Sequence, residues 1–396
     1  MPVIRTPKGF NISVAAAGIK SPGRNDMALI YTERPATIAA SFTTSKVKAA
    51  PILLDMVNAR QGRAHAVVVN SGNANACTGR QGMLDARETA VLTARGLGVP
   101  ENSVLVSSTG VIGVPMPMKR VRTGINDLIG GLGDEKGPED AAKAIMTTDT
   151  FHKVVDRKLT LGGKRGSIVG IAKGAGMIEP NMATMLCYIL TDFRLDRASL
   201  KNAFNESVEM SFNRITVDGD RSTSDTAIVM ANGAVGNEPL TYGSDAFGTF
   251  ATALREITYE LSRLIVKDGE GASKVIEVCV TGARSEKFAL RAARAIANSL
   301  LFKTAMYGGD PNWGRIMAIL GRADAPFKEE RVDISLGSVM VVNGGLDTGK
   351  LKAAEKELHK PEVKVTVNLN IGEFTASVLT CDLTETYIKI NSEYTT

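Results

Sequence analysis

Residues 173–184 read Lys173-Gly174-Ala175-Gly176-Met177-Ile178-Glu179-Pro180-Asn181-Met182-Ala183-Thr184, a glycine-rich loop that contains a proline and ends in a threonine. An apolar stretch follows directly, so Thr184 is predicted to begin a β-strand. If the Ala183–Thr184 peptide bond breaks, Thr184 becomes an N-terminus whose hydroxyl is a nucleophile and whose α-amine is a nearby base. The layout suits a chain that cleaves itself.

Outward from this loop, short apolar runs alternate with helical patterns. The predicted strands are residues 66–69, 104–106, 167–172, 184–190 and 363–369, the last with a period-two alternation of apolar and polar side chains. The predicted helices cover residues 85–96, residues 196–212, and a segment from Ser244 or Asp245 as N-cap to Lys267. This alternation predicts a mixed α/β architecture with two αβ-rich halves that meet near Thr184.

The composition is that of an ordinary globular protein, with 396 residues, 44% hydrophobic and 22% charged. The net charge of +5 is spread along the chain without a basic tail or patch, which argues against nucleic-acid binding. The first ten residues lack the apolar core of a signal peptide, and no run approaches the roughly 18 apolar residues of a membrane span. A cytoplasmic protein without a membrane partner is expected.

Several common chemistries lack their motifs. The four cysteines are far apart and form no C-x-x-C pair, so neither a zinc site nor a disulfide framework is indicated. With three histidines and no G-x-S-x-G or H-E-x-x-H motif, a serine hydrolase triad or a zinc peptidase has little support. Glu179 stands where a dinucleotide-binding loop needs its third glycine, and no phosphate loop occurs. No metal and no cofactor are predicted.

Small polar loops close two of the predicted strands. Residues 70–76 carry three asparagines, a pattern typical of turns. In Ser107-Ser108-Thr109-Gly110, the Thr109 hydroxyl and the Gly110 N–H are together suited to hold an oxyanion, although a plain turn at a strand end has the same pattern. A threonine that opens an apolar strand is likewise ordinary. Spacing alone therefore leaves the catalytic and the structural interpretation open at each position.

Taken together, these motifs resemble the ornithine acetyltransferase (glutamate N-acetyltransferase) family of arginine biosynthesis. The resemblance extends over essentially the whole chain, and the combination of motifs is specific although each one alone is not. The stretches that carry it are residues 70–76, 108–113, 146–150, 173–186, 222–226, 268–271, 310–315 and 391–396.

The resemblance implies an α/β (α+β) fold of the N-terminal-nucleophile-like type, with layered sheets and helices (DmpA/ArgJ-like). It also implies self-cleavage between Ala183 and Thr184, which leaves an α chain of residues 1–183 and a β chain of residues 184–396. Two copies of each chain are expected to form a heterotetramer. The expected partners are the small molecules N2-acetylornithine and glutamate.

The resemblance assigns roles to residues as well. Thr184 is expected to accept the acetyl group, while Thr109 and Gly110 stabilise the oxyanion. The expected substrate contacts are Thr147, Lys173, Thr184, Glu270, Asn391 and Thr396. Lys173 suits the α-carboxylate that both substrates share, and Glu270 suits the ammonium of ornithine.

These roles describe a ping-pong cycle. A free α-amine has a pKa of roughly 7.7–8.0, so near neutral pH a substantial fraction can accept the hydroxyl proton of Thr184. Attack on N2-acetylornithine releases ornithine and leaves an acetyl-Thr184 ester, which the amine of glutamate then attacks. The motifs leave open whether acetyl-CoA also donates an acetyl group. The alternative is a self-processing aminopeptidase or amidase of the same fold, in which water resolves the acyl enzyme.

Overall fold

The computed structural model describes residues 4–179 and 185–393. The predicted cleavage bond Ala183–Thr184 and the terminal Thr396 therefore lie outside the described residues. The strands are β1 (Phe10–Ala15), β2 (Met27–Phe42), β3 (Arg63–Asn73), β4 (Val104–Val111), β5 (Lys153–Leu161), β6 (Lys164–Lys173), β7 (Leu186–Thr191), β8 (Thr226–Ala231), β9 (Val275–Ala283), β10 (Asp333–Leu336), β11 (Val339–Asn343), β12 (Leu346–Asp347), β13 (Glu362–Asn368) and β14 (Phe374–Cys381). The helices are α1 (Ala50–Asn58), α2 (Gly79–Leu97), α3 (Met118–Gly130), α4 (Pro138–Ile145), α5 (Arg197–Met210), α6 (Asp245–Lys267), α7 (Glu286–Ala297), α8 (Leu300–Gly308), α9 (Trp313–Arg322), α10 (Leu351–Leu358) and α11 (Glu385–Glu393).

The first sheet has the strand order β4-β3-β2-β8-β7-β6-β5, with β1 paired to β2. The pairs β3–β4 and β7–β8 are parallel, and the other neighbours are antiparallel. The long strand β2 joins the two parts of the sheet, because β1 pairs along its first six residues, β3 pairs with it at positions between Met27 and Thr37, and β8 pairs along its last six residues. Every residue of β7 and β8 is buried, as expected for central strands with continuous apolar sequences.

Alternating side chains place the core of this sheet in layers. Val67 of β3 and Ile171 of β6 belong to one apolar cluster, which α4 closes with Ile145, so the two parts of the sheet face each other. On the outer faces, one cluster joins β3 and β4 to α2 and α3, and another joins β6, β7 and β8 to α5 and α6. The predicted mixed α/β fold of layered sheets and helices is confirmed.

The second sheet has the order β12-β11-β10-β13-β9-β14 and packs against α7, α8, α9 and α10 around a separate core. In β13 the side chains of Val363, Val365 and Val367 are buried while Lys364 is exposed, which confirms the period-two prediction. Among the helices of the described residues, none is long and apolar enough to cross a bilayer.

Helices α5 and α6 begin where they were predicted to begin, because an N-cap side chain next to each helix marks its start. Asp196 caps α5 by accepting from the backbone of Ala198 and Ser199, and the Ser244 hydroxyl accepts from Phe247 N at 3.3 Å to cap α6. Several boundaries differ from the prediction. The strand predicted over residues 184–190 begins at Leu186, and β3 and β4 continue to Asn73 and Val111 through polar stretches that were predicted to be loops, because the two strands pair with each other there. Helix α5 ends at Met210 rather than residue 212, and α2 begins at Gly79 rather than residue 85, because the glycine-rich start of α2 is held by tertiary contacts. The Gly82 carbonyl accepts from Asn75 Nδ2 at 2.9 Å.

Along the chain, the predicted cleavage position lies between two strands that are hydrogen-bonded neighbours in the first sheet. Strand β6 precedes Thr184 and β7 follows it, and Lys173 of β6 is paired with Leu186 of β7. Strand β2, from the first part of the chain, also pairs with β8 from the second. The strands of the two expected fragments are therefore interleaved in one sheet.

Candidate active site

One small pocket brings together six of the eight residues predicted at the site. Its lining includes the predicted residues Thr109, Gly110, Thr147, Lys173, Glu270 and Asn391. The remaining two, Thr184 and Thr396, lie outside the described residues. The pocket is thus built from the ends of β4 and β6 and from the segments that follow α4 and α6, together with α11.

Lys173 is the buried cation of the pocket, with only 3% of its surface exposed. Its Nζ donates to Thr147 Oγ1 at 2.7 Å and lies 3.4 Å from Thr109 Oγ1. Burial lowers the pKa of Lys173, and the nearby carboxylate of Asp149 opposes that change. The ammonium therefore connects the predicted oxyanion residue to a predicted substrate contact.

Thr109 and Gly110 lie within the last residues of β4, beside a register irregularity in its pairing with β3, rather than in the loop that was predicted to follow the strand. Gly110 has a φ of +133° and lies so close to β3 that a Cβ there would be 2.3 Å from the carbonyl carbon of Gly72. Only glycine fits this approach. Thr109 is 5% exposed, so the hydroxyl beside Lys173 is largely withdrawn from bulk water.

The asparagines of residues 70–76 support this end of β4 rather than line the pocket. Asn70 Oδ1 accepts from Ser108 Oγ at 2.6 Å, and Asn70 Nδ2 donates to Asn73 O at 2.9 Å. Asn73 Nδ2 donates to Val114 O at 3.1 Å. Their amides satisfy backbone and hydroxyl groups next to Thr109, so their role is structural, but residues 70–73 belong to β3 rather than to the predicted turn.

Glu270 and Asn391 form the opposite side of the pocket. The Glu270 carboxylate accepts from Asn391 Nδ2 at 2.8 Å, and Glu270 N donates to Ala175 O at 2.9 Å. A Cβ at Gly176 would lie 2.4 Å from the Glu270 carboxyl carbon, so the glycine-rich loop gives room to this carboxylate. An acidic group therefore lies in the same small pocket as the buried Lys173.

Two carboxyl groups, the half-buried Asp218 and the buried Asp225, bind the backbone before and after residues 180–184. Asp218 accepts from Met177 N at 2.6 Å and from Ile178 N at 2.9 Å, and burial raises the pKa of Asp218 to about 6. Asp225 Oδ1 accepts from Met185 N at 3.1 Å, and burial raises the pKa of Asp225 well above its ordinary value. Met177 has a left-handed φ of +57°, which is unusual for a residue other than glycine.

The comparisons with known proteins identify the family. The family model described as the ArgJ family matches residues 11–396. The chain belongs to the ArgJ family. It is 54% identical over 391 residues to the arginine biosynthesis bifunctional protein ArgJ of Geobacter sulfurreducens, covering 98% of this chain and 99% of that protein. It is 44% identical over 406 residues to the glutamate N-acetyltransferase of Methanocaldococcus jannaschii, covering 99% of this chain and 98% of that one.

A solved ArgJ structure agrees with this membership. The crystal structure of the arginine biosynthesis bifunctional protein ArgJ from Bacillus halodurans has 40% sequence identity and a TM-score of 0.51, covering 52% of this chain and 98% of that chain. The predicted resemblance and the ArgJ-like fold are both confirmed. The roles of the individual ArgJ site residues remain predictions.

Several polar residues in or near the pocket were not predicted from the sequence to have a role in it. Ser222, Thr223 and Ser224 line the pocket, and their signal was the hydroxyl-rich stretch before Asp225. Asp149 and Asp268 lie in two of the motifs that carried the resemblance, but their spacing did not indicate that they meet. Among residues 4–179 and 185–393, no group of three or more His, Cys, Asp or Glu side chains is arranged to hold a metal ion.

Proposed function

We propose that this protein is a self-processing acyltransferase that moves the acetyl group of N2-acetylornithine to glutamate through an acetyl ester on Thr184. The observation that carries the proposal is the convergence of Lys173, Thr109-Gly110 and Glu270 on one pocket, at the loop that leads to Thr184. The names of the relatives, ArgJ of arginine biosynthesis and glutamate N-acetyltransferase, support this reaction.

The cycle begins when the Thr184 hydroxyl attacks the acetyl carbonyl of N2-acetylornithine and its proton passes to the Thr184 α-amine. The bond from the acetyl carbon to the ornithine nitrogen then breaks, and the leaving amine takes a proton. Glutamate enters, its neutral amine attacks the acetyl ester, and the Thr184 hydroxyl is restored as N-acetylglutamate leaves. Each half-reaction passes through a tetrahedral oxyanion.

The Thr109 hydroxyl and the Gly110 N–H are the proposed donors to that oxyanion. The ammonium of Lys173, 3.4 Å from Thr109 Oγ1, adds a positive charge beside the same hydroxyl. In a pocket withdrawn from water these groups interact more strongly with a developing negative charge than water would. Loss of one such donor typically costs about 3 kcal/mol of transition-state stabilisation.

Substrate recognition follows from the two charges of the pocket. N2-acetylornithine and glutamate share an α-carboxylate, which we assign to Lys173. Their side chains differ in sign, and we assign the ornithine ammonium to Glu270. Asn391, which donates to Glu270 at 2.8 Å, and Thr147, which accepts from Lys173 at 2.7 Å, hold the two charged side chains in place.

Self-cleavage supplies the catalytic amine. The proposed event is attack of the Thr184 hydroxyl on the Ala183 carbonyl, followed by hydrolysis of the resulting ester, which yields fragments 1–183 and 184–396. The carboxyl groups of Asp218 and Asp225 hold the backbone of Met177 and Ile178 before the proposed cleavage position and of Met185 after it, which supports the proposal. The Bacillus halodurans chain aligns over 98% of its length with about half of this chain, as expected for one of two such fragments.

The proposal is tested by substrate-specific kinetics on the purified protein. We expect Glu270→Gln to raise the KM for N2-acetylornithine much more than the KM for glutamate. We expect Lys173→Met to weaken the binding of both substrates and so to raise both KM values. Glu385→Gln on the exposed start of α11 is the matched control and should leave both constants unchanged. Equal effects of Glu270→Gln on both substrates would contradict the assignment.

The same assay separates the related activities. Acetyl-CoA offered in place of N2-acetylornithine distinguishes an enzyme with two donors from an enzyme with one. Release of free acetate instead of N-acetylglutamate in the presence of glutamate would identify an amidase and refute the transferase proposal.

A further inference from the structure

Three buried ionic side chains next to the pocket have no part in the chemistry described so far. Lys153 Nζ lies 2.7 Å from Asp149 Oδ1 and 2.5 Å from Asp268 Oδ2. The side chains of Lys153 and Asp149 are 0% exposed, and that of Asp268 is 1% exposed. We call Asp149, Lys153 and Asp268 the buried ion network. Burial of three charges is costly unless each is compensated, so their arrangement calls for an explanation.

Asp149 fixes the backbone at two of the proposed substrate contacts. Its Oδ2 accepts from Thr147 N at 3.0 Å, and its Oδ1 accepts from Gly174 N, the residue after Lys173, at 2.7 Å. The segment after α4 and the end of β6 are therefore joined through one carboxylate. Thr147 and Lys173, whose side chains meet at 2.7 Å in the pocket, are held from behind by the same group.

Asp268 ties the third segment to this arrangement. It lies at the end of α6, two residues before Glu270, and accepts from Thr150 N at 3.1 Å and 3.2 Å. The Thr150 hydroxyl also donates to it. Lys153 bridges Asp268 and Asp149, so the three segments that present Thr147, Lys173 and Glu270 are connected by one set of charges.

The network also balances the charge of Lys173. Burial alone would raise the pKa of Asp149, but the ammonium groups of Lys173 and Lys153 outweigh it and hold the pKa at about 2. Asp149 is therefore an anion at any working pH. The other charges that act on Lys173 are Lys153, which lowers its pKa, and the carboxyl groups of Asp225 and Glu270, which raise it. The ammonium of Lys20 lies on the same side, donating to Thr147 O at 2.9 Å.

We propose that Asp149, Lys153 and Asp268 are positioning residues of the acetyl-transfer site, which align the segments of Thr147, Lys173 and Glu270 and provide the counter-charge of Lys173. The inference rests on the proposed function, because it explains how the assigned substrate contacts are held.

The test is the pH dependence of kcat/KM for Asp149→Asn, Lys153→Met and Lys153→Arg beside the wild type. Asp149→Asn removes the anion that keeps Lys173 protonated, so Lys173 loses its proton at a lower pH. The alkaline limb of the profile of kcat/KM against pH, where activity falls as the pH rises, should therefore move to a lower pH by roughly 1–3 units. Lys153→Met removes a cation instead and should lower kcat/KM without that downward move. Lys153→Arg keeps the charge and should recover most of the activity.

The matched control is Lys303→Met. Lys303 is also a buried lysine, 2% exposed, but it donates to Thr380 and Cys381 of β14 and does not line the pocket. Its loss should lower the melting temperature and leave the alkaline limb of the kcat/KM profile at the wild-type pH. A folded Asp149→Asn variant with the wild-type alkaline limb and kcat/KM within about twofold of wild type would overturn the proposal.

A second readout keeps the inference separate from the proposed function. Amide hydrogen exchange at Thr147 and Gly174 should accelerate in Asp149→Asn, because both N–H groups lose their carboxylate acceptor. Unchanged exchange at both amides refutes the positioning role even if the protein transfers acetyl groups. A wild type that transfers none, while exchange accelerates in the variant, refutes the proposed function and leaves the positioning role supported.

Discussion

At the scale of single residues, two buried lysines of the same chain have opposite environments. Lys153 is bound by two carboxylates, whereas Lys173 contacts only hydroxyl groups among its side-chain hydrogen-bond partners in the described residues. The ammonium of Lys173 therefore retains capacity for a carboxylate ligand, while that of Lys153 is satisfied within the protein. This difference is why Lys173 is assigned to the substrate and Lys153 to the support of the site.

A substitution at Gly110 tests whether Thr109 and Gly110 stabilise the oxyanion. Gly110→Ala places a Cβ 2.3 Å from the Gly72 carbonyl carbon, so the backbone of Thr109-Gly110 must shift. We expect acetyl transfer to fall by about 10²-fold to 10³-fold, the usual effect of losing an oxyanion donor. Gly113→Ala is the control, since Gly113 also has a positive φ, +81°, but a Cβ there meets nothing within 4 Å. Similar activities of the two variants would argue against oxyanion stabilisation by Thr109 and Gly110.

Asp218 should give the protein an unusual pH dependence of stability. Its folded pKa of about 6 lies above the unfolded value, so the folded state binds more protons between roughly pH 4 and 6. The contribution of Asp218 to the free energy of unfolding should therefore fall as the pH rises through that window, by up to about 3 kcal/mol. Urea unfolding of Asp218→Asn against its parent, both in an uncut Thr184→Ala background, measures the difference.

Asp196 provides a control of the opposite sign. Hydrogen bonds from Ser199 lower the pKa of this N-cap carboxylate, so its contribution is present above the unfolded pKa and is lost as the pH falls through the folded pKa. A stability difference for Asp218→Asn that stays constant from pH 4 to 6 would show that Asp218 ionises normally.

At the scale of elements, α11 brings Asn391 to the pocket. Gly271, with φ +70°, lies so close to this helix that a Cβ would be 2.6 Å from Tyr387 N, and Asn391 reaches Glu270 at 2.8 Å. We expect deletion of residues 394–396 to impair turnover, because it removes Thr396, one of the predicted substrate contacts. The melting temperature should change little, since residues 385–393 remain. Full activity of the truncated enzyme in a steady-state assay would rule out this role.

The elements also show what sequence can and cannot predict. Strand β13 and helix α6 were predictable because periodicity and a serine N-cap are local signals. The early start of α2 was missed, because it depends on the contact of Gly82 with Asn75. The six predicted site residues that the structure describes line one pocket, yet spacing could not show that Thr109 and Lys173, 64 positions apart, meet. The role of Asp149 was invisible for the same reason.

At the scale of the whole molecule, the interleaved sheet predicts that cleavage does not separate the fragments. Strands β2 and β6 of the first fragment hydrogen-bond to β8 and β7 of the second, and the apolar cluster between α5, α6 and the sheet includes residues of both. We expect equimolar fragments to co-elute in native size-exclusion chromatography and to separate only in denaturant. Fragments that separate in native buffer and leave an active enzyme would contradict this arrangement.

The most direct measurement of the central claim is the intact mass of the protein under denaturing conditions, after brief exposure to N2-acetylornithine without glutamate. The account predicts fragments 1–183 and 184–396, with one acetyl group on the second fragment that disappears when glutamate is added. Thr184→Ala, treated in the same way, should give one uncut and unmodified chain. A wild-type chain that stays whole, or carries no acetyl group, yet transfers acetyl to glutamate would contradict it.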